Sequence, residues 1–391
     1  MSKPGHGIRV PNPFDKWSSI GVAIFMALVG YSVMVSVPVL STALVQKAGF
    51  SAEEVGRIWG ADLGGLSLGA VISAFLVARM NRWHLVWIGV AVSIAANLLC
   101  MAFTSYEALL ALRALAGIGS GIFTAVAVVT LGGTTRPTTA YNLELVGFAF
   151  STALELHYLP QLSMNQIYLF FIILSVICAV LVYWIPKRPL NNEELALQDE
   201  QAQYDENWHV PKFLPVFCLI AISFTYINIG GYFTYIELAA LADGVAENWV
   251  GSVLTWSSFL GVVGCAIAFY AARFGLFKPL FLSLITMCSV VAMLSLGIND
   301  TNIVISLFGV MTLWTFVDVY QSAMVAHMDR SGSLVALIPS VQGFGQFVGP
   351  NVAASIIGAG MGYSTMFVVS GSMALVALAI YASVALYMHR R

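Results

Sequence analysis

The stretch PKRPLNNEELALQDEQAQYDENWHVP, Pro186 to Pro211, decides the architecture, because it is the one long polar segment in an otherwise apolar chain. Six acids, Glu193, Glu194, Asp199, Glu200, Asp205 and Glu206, crowd into it, so it reads as a solvated linker, with a regulatory or partner site as the alternative. On either side of it, apolar segments of roughly 18 to 25 residues can be placed six times, each long enough to cross about 30 Å of hydrocarbon. The predicted spans are 18–45, 52–78, 83–104, 107–131, 138–158 and 166–185, then 212–238, 247–271, 279–297, 301–326, 333–358 and 364–388.

Composition agrees. Of 391 residues 59% are hydrophobic and only 9% charged, whereas a water-soluble chain carries roughly 25% charge. The sequence therefore predicts an all-α membrane protein of twelve transmembrane helices in two six-helix bundles. Disorder, fibrous repeats and a disulfide scaffold are excluded by the low charge, the aperiodic glycines and five dispersed cysteines. A net charge of -2 leaves no electrostatic footprint for nucleic acid. The segments lack strand-length alternation, which sets a β-barrel aside. The first apolar run has no small-residue cleavage site and reads as a span rather than a removable signal.

With the amino terminus in the cytoplasm, 14 of the 17 basic residues fall on the cytoplasmic side, among them Lys16, Arg79, Arg82, Arg136, Lys187 and Arg273. Lys47 and Arg57 fall outside and Arg113 lies within the fourth span. The opposite orientation would invert this bias, so both termini are expected in the cytoplasm, residues 1–17 and 389–391 forming short tails.

The two halves repeat a short pattern. AFLVARMN, Ala74 to Asn81, closes the second span, and AFYAARFG, Ala268 to Gly275, closes the eighth. Each precedes a basic cytoplasmic turn, at Arg82 and at Lys278, as a duplicated six-span unit would place it.

Here the chain resembles the major facilitator superfamily of secondary transporters. Its signature between helices 2 and 3, Gly-x-Leu-Ala-Asp-Arg-x-Gly-Arg, is matched by Arg79 and Arg82, while Ala78 stands at the acidic position and Asn81 at the second glycine. Arg113-Ala-Leu-Ala-Gly117-Ile-Gly-Ser-Gly121 resembles the family's fourth-helix arginine and glycine run. Gly117 and Gly121 share one helix face and permit close helix approach. The fifth-helix Gly-x-x-x-Gly-Pro run of many drug exporters is absent, since Gly147 is followed by Phe148, Ala149, Phe150 and Ser151. The resemblance implies the major facilitator fold, a central cavity between helices 1, 4, 7 and 10, and a cytoplasmic gate to which Arg79, Arg82 and Arg273 are assigned.

An ionised group at bilayer depth costs at least about 2.5 kcal/mol on insertion scales, so each one needs a partner or a function. Asp62 and Arg113 fall at similar external depth and form a candidate pair, either structural glue or a proton-sensitive gate. Glu144, two turns into the fifth span, and Asp318, deep in the tenth, are the other candidates for proton coupling or substrate binding. Against these stand a lock to another helix for Glu144 and a contact to His327 or Arg330 for Asp318. Glu155 and His157 read as boundary groups near the external end of the fifth span. Glu237, Asp243 and Glu247 read as a solvated external rim.

On the cavity helices the implied lining is Tyr31, Ser36, Thr124, Tyr226, Asn228, Tyr232 and Trp314. Gln342 and Gln346 in the eleventh span, four residues apart, join them, because amides in hydrocarbon need partners. Gly230 and Gly231 between Asn228 and Tyr232 suggest bending or substrate approach. No phosphate loop, metal constellation or nucleophile–base pair emerges, so no enzyme activity, cofactor, metal or essential disulfide is expected. The expected function is proton-coupled symport of a small organic solute by alternating access, in a bacterial inner membrane and as a monomer. Proton-coupled efflux of a cationic or amphipathic compound and a non-transporting receptor or scaffold are the alternatives.

Overall fold

A computed structural model describes residues 12–77, 79–187, 211, 213–328, 334 and 337–389. The linker apart from its ends, the tail cations Lys3, Arg9, Arg390 and Arg391, and also Ala78, Arg188, Lys212 and Arg330, lie outside the described residues.

Thirteen long α-helices make up twelve spans among the described residues: α1 Trp17–Ala48, α2 Ala52–Leu76, α3 Arg82–Ala102, α4 Tyr106–Gly132, α5 Pro137–Tyr158, α6 Met164–Leu181, α7 Phe213–Ala242, α8 Glu247–Ser257, α9 Leu260–Ala271, α10 Phe277–Ala292, α11 Asp300–Met328, α12 Ile338–Gly358 and α13 Gly362–His389. Side-chain caps start several of them. Ser51 and Ser163 each close a reciprocal box with the acid or amide three residues on, Glu54 and Gln166, satisfying amides that have no helical partner.

The predicted eighth span is broken into α8 and α9. Ser257 and Ser258 both turn their hydroxyls back onto the Leu254 carbonyl, and the Gly261 carbonyl is captured by the Thr315 hydroxyl of α11 at 2.7 Å. Competing side-chain bonds of this kind loosen the backbone ladder. Ten spans are long and apolar enough to cross a membrane by length and composition. The fifth and eleventh, α5 and α12, fall short of the sequence expectation. Their polar content explains it: α5 carries Asn142, Glu144, Thr152, Glu155 and His157, and α12 carries Gln342, Gln346, Asn351 and Ser355. Such helices are stable at bilayer depth only when other helices cover them.

The first six helices pack chiefly on one another, with α4 set against α2, α3 and α1, and α7 is packed likewise against α12 and α13. Glycine sets the tightest of these contacts. An added Cβ on Gly117 or Gly121 would strike the carbonyls of Asp62 and Leu66, and one on Gly65 or Gly69 those of Ala114 and Ile118. The two helices thus interdigitate glycine against backbone, which is the close approach expected of small residues four apart.

Several seams join the halves, α1 against α7 among them. Along α2 and α12, Gly60 meets Asn351, Gly64 meets Phe347, and the Ser67 hydroxyl donates to the Ser340 carbonyl at 3.3 Å. Along α5 and α8–α9, Phe150 and Phe259 meet edge to face at 5.3 Å. At the end opposite the termini one continuous hydrophobic cluster draws on both halves, including Leu40, Trp59, Tyr235, Leu254 and Phe367. Toward the terminal end the clusters are separate, one built on Val22, Leu85 and Phe123, the other on Leu214, Leu284 and Tyr381.

Candidate functional site

Three helices of the second half converge on Asp318. The Tyr226 hydroxyl of α7 donates to Asp318 Oδ2 at 2.6 Å, and the Gln342 amide of α12 donates to Oδ1 at 3.1 Å. Trp314, one helical turn before Asp318 on α11, donates its indole N–H to the Tyr226 oxygen at 3.2 Å. Trp314 also meets Tyr226 and Phe233 edge to face, at 6.3 and 5.8 Å. Asp318, Trp314 and Gln342 are half-buried rather than sealed. The carboxylate is therefore held by donors from two neighbouring helices and still borders accessible space.

From the first half come Tyr31 of α1 and Glu144 of α5. Tyr31 is half-buried and meets Phe148 of α5 edge to face at 6.2 Å. Glu144 is half-buried, and among the described residues no hydrogen bond or ion pair engages it. Tyr226, Trp314, Asp318 and Gln342 thus form one hydrogen-bonded group, and among the described residues no hydrogen bond joins it to Tyr31 or Glu144 of the first half.

Other expected lining residues serve as helix contacts. Asn228 is fully buried and donates to the Ser370 carbonyl of α13 at 2.7 Å, and Tyr232 is bonded to Ser306 of α11 at 3.0 Å. Gly230 and Gly231 lie against Gln346, Pro350, Ser370 and Gly349, so the missing side chains serve helix approach. Gln346 is itself buried at that contact. Thr124 donates to the Ser120 carbonyl of its own helix and packs on Gly30.

Asp62 and Arg113 come together as an ion pair of 2.5 Å with both side chains 1% exposed. Arg113 also donates to Asn97 Oδ1 of α3 at 2.8 Å and lies 5.4 Å from the Trp59 ring and 5.9 Å from the Tyr168 ring. Asn97 escaped the sequence reading because a single amide on a long apolar span carries no spacing signal.

Two sequence expectations are corrected. Glu155 is buried, and the hydroxyls of Ser32 and Ser36 donate to its Oε2 at 2.8 and 2.6 Å. Ser36 thus joins α1 to α5. His157, by contrast, is exposed. Glu237 is 3% exposed and faces Thr42 of α1, while its supposed rim partners Asp243 and Glu247 are exposed. A helix end near water still has one face turned to the neighbouring helix, and Glu237 is on that face.

The assigned gate arginines differ in setting. Arg79 and Arg273 are exposed, the latter 3.9 Å above the Tyr270 ring. Arg82 is buried, 4.7 Å from the Phe14 ring, where a short strap is tied down by Asn12 to the Gly133 carbonyl and by the Thr135 amide to Asp15.

A sequence profile of the Major Facilitator Superfamily matches residues 22–350. The chain belongs to the Major Facilitator Superfamily. It is a multi-pass membrane protein of a family of secondary transporters, which are carriers and not enzymes. No curated protein matches its sequence. Among solved structures it is similar to the nucleoside transporter NupG, with 12% identity, TM-score 0.68 and coverage of 93% of this chain and 98% of that one. It is likewise similar to a D-xylose–proton symporter (14% identity, TM-score 0.72, 93% and 97% covered) and to the human organic anion transporter MFSD10 (14%, 0.67, 95% and 100%). At these identities the likeness is one of fold, and it extends over nearly the whole of each chain.

Proposed function

We propose that this chain is a proton-coupled symporter of a small organic solute. The observation that carries the reading is the half-buried Asp318 carboxyl, held by Tyr226 and Gln342 from two neighbouring helices, with a second half-buried carboxyl, Glu144, on a helix of the first half. A carboxyl contributed by each half can gain and lose a proton as the halves rock, which links proton movement to solute movement. Asp318, ordered by Tyr226 and Gln342, holds the solute, and Glu144, which has no fixed partner, carries the proton. Asp62 and Arg113 act as the tie between α2 and α4.

The two halves, 18–185 and 212–388, move as bodies joined by the linker 186–211, and the chain works as a monomer. With both termini in the cytoplasm of a bacterial inner membrane, the single cluster at the far end seals the outside and the separated clusters leave the inner side free. The conformation is then inward-facing, with Arg79, Arg82 and Arg273 at the gate that closes next.

Efflux by antiport is favoured by one feature: Asp318 can hold a proton or a cation but not both, so the two ligands compete. The test is a solute screen in sealed vesicles with internal and external pH set independently and a pH dye entrapped. Symport predicts concentrative uptake with internal acidification under an inward proton gradient, abolished when the gradient is dissipated. Solute flux indifferent to pH and membrane potential rejects coupling.

A further inference from the structure

The charge balance around Asp318 restricts what the solute can be. Arg113, the one cation deep within a span, is taken out of play: its guanidinium is committed to Asp62 and Asn97 and it is 1% exposed. Every other described Lys and Arg stands at or near a helix end. Asp318 and Glu144 are therefore half-buried carboxyls with no ion pair among the described residues, and the donors that reach Asp318, Tyr226 and Gln342, are neutral.

The surrounding surface is aromatic. Tyr31 and Phe148 meet edge to face in the first half, and Trp314, itself half-buried, meets Tyr226 and Phe233 edge to face in the second. Ring faces attract cations, and the attraction grows when water is excluded. An anionic solute would meet two carboxyls and, among the described residues, no counter-charge. A neutral polyol would gain hydrogen bonds there but no charge pairing, whereas an ammonium gains both.

We infer that the solute is an organic ammonium, its charge held by Asp318 and its apolar body set against Tyr31, Tyr226 and Trp314. This rests on the reading of the Asp318 group as the solute site, and it narrows that reading to one chemical class. A resident positive charge also explains how Asp318 and Glu144 coexist at bilayer depth when the carrier is loaded.

The experiment is equilibrium binding to the purified protein in detergent, with no proton gradient. Three probes share one frame: 3-phenylpropylamine, 3-phenylpropan-1-ol and 3-phenylpropionate. Thermal unfolding is followed as each is titrated. The ammonium is expected to stabilise saturably at a concentration at least about tenfold lower than the alcohol, and the carboxylate not at all. Asp318→Asn should erase this preference, and Asp318→Glu should keep part of it. Should Asp318→Asn fail to fold, Glu144→Gln is the second variant, expected to narrow the gap between amine and alcohol. Equal affinities, a preference for the carboxylate, or no saturable binding of the amine overturns the inference. Failure here alongside proton-driven flux of another solute removes only the substrate class, whereas binding without proton-linked flux removes only the coupling.

Discussion

The Arg113 guanidinium meets the Asp62 carboxylate at 2.5 Å in a place where both side chains are 1% exposed. The pair rests on glycine, because Gly117, one turn beyond Arg113, lets α4 approach the Asp62 carbonyl itself. Removing one partner leaves a bare charge in a low-dielectric interior, which typically costs about 3–5 kcal/mol, while replacing both by apolar groups is far milder. Asp62→Leu and Arg113→Met are each expected to lower the unfolding temperature and protein abundance sharply, and the double variant to recover most of both. A double variant as damaged as the singles would show that the charges themselves are needed.

Gly117→Ala tests the contact beneath the pair. Its Cβ would have to displace the Asp62 carbonyl, and overpacking of this kind costs about 1–3 kcal/mol. Thermal unfolding in detergent should register the loss, and Gly251→Ala, at a position with open space around it, should not.

Tyr226→Phe removes the donor to Asp318 and the acceptor for Trp314 while keeping the ring. A hydrogen bond to a charged group contributes about 1.5–3 kcal/mol, so solute affinity should fall roughly tenfold or more. Abundance should stay near that of the parent protein. A drop in abundance with unchanged affinity would assign Tyr226 to packing.

Asn228→Ala and Tyr232→Phe should behave in the opposite way. Both side chains join α7 to its neighbours from fully buried positions. Their loss should cost about 1–3 kcal/mol of stability and leave solute preference unchanged. A changed preference in either variant would return these residues to the solute site.

The contrast between these residues shows what was legible in the sequence. The run of long apolar helices and the Asp62–Arg113 contact follow from apolar length and the cost of buried charge, both of which act locally. Asp318 stood out for the same reason. Glu237 is misread, and the settings of Asn228 and Tyr232 are not legible, because a helix face is assigned by its neighbours: the same polar group lines a cavity or ties two helices according to which helix stands opposite. The Ser32–Ser36–Glu155 cluster joins elements more than 100 residues apart, a separation that spacing within one helix cannot bridge. The break between α8 and α9 likewise depends on Thr315 reaching across from α11.

The most direct measurement follows solute and protons together in sealed vesicles, for the parent protein and for Glu144→Gln. A solute that enters the parent vesicles is expected to bring protons with it and to accumulate against its gradient, and Glu144→Gln should leave solute exchange running while proton entry stops. Solute entry in the parent protein with no accompanying proton movement would contradict the account.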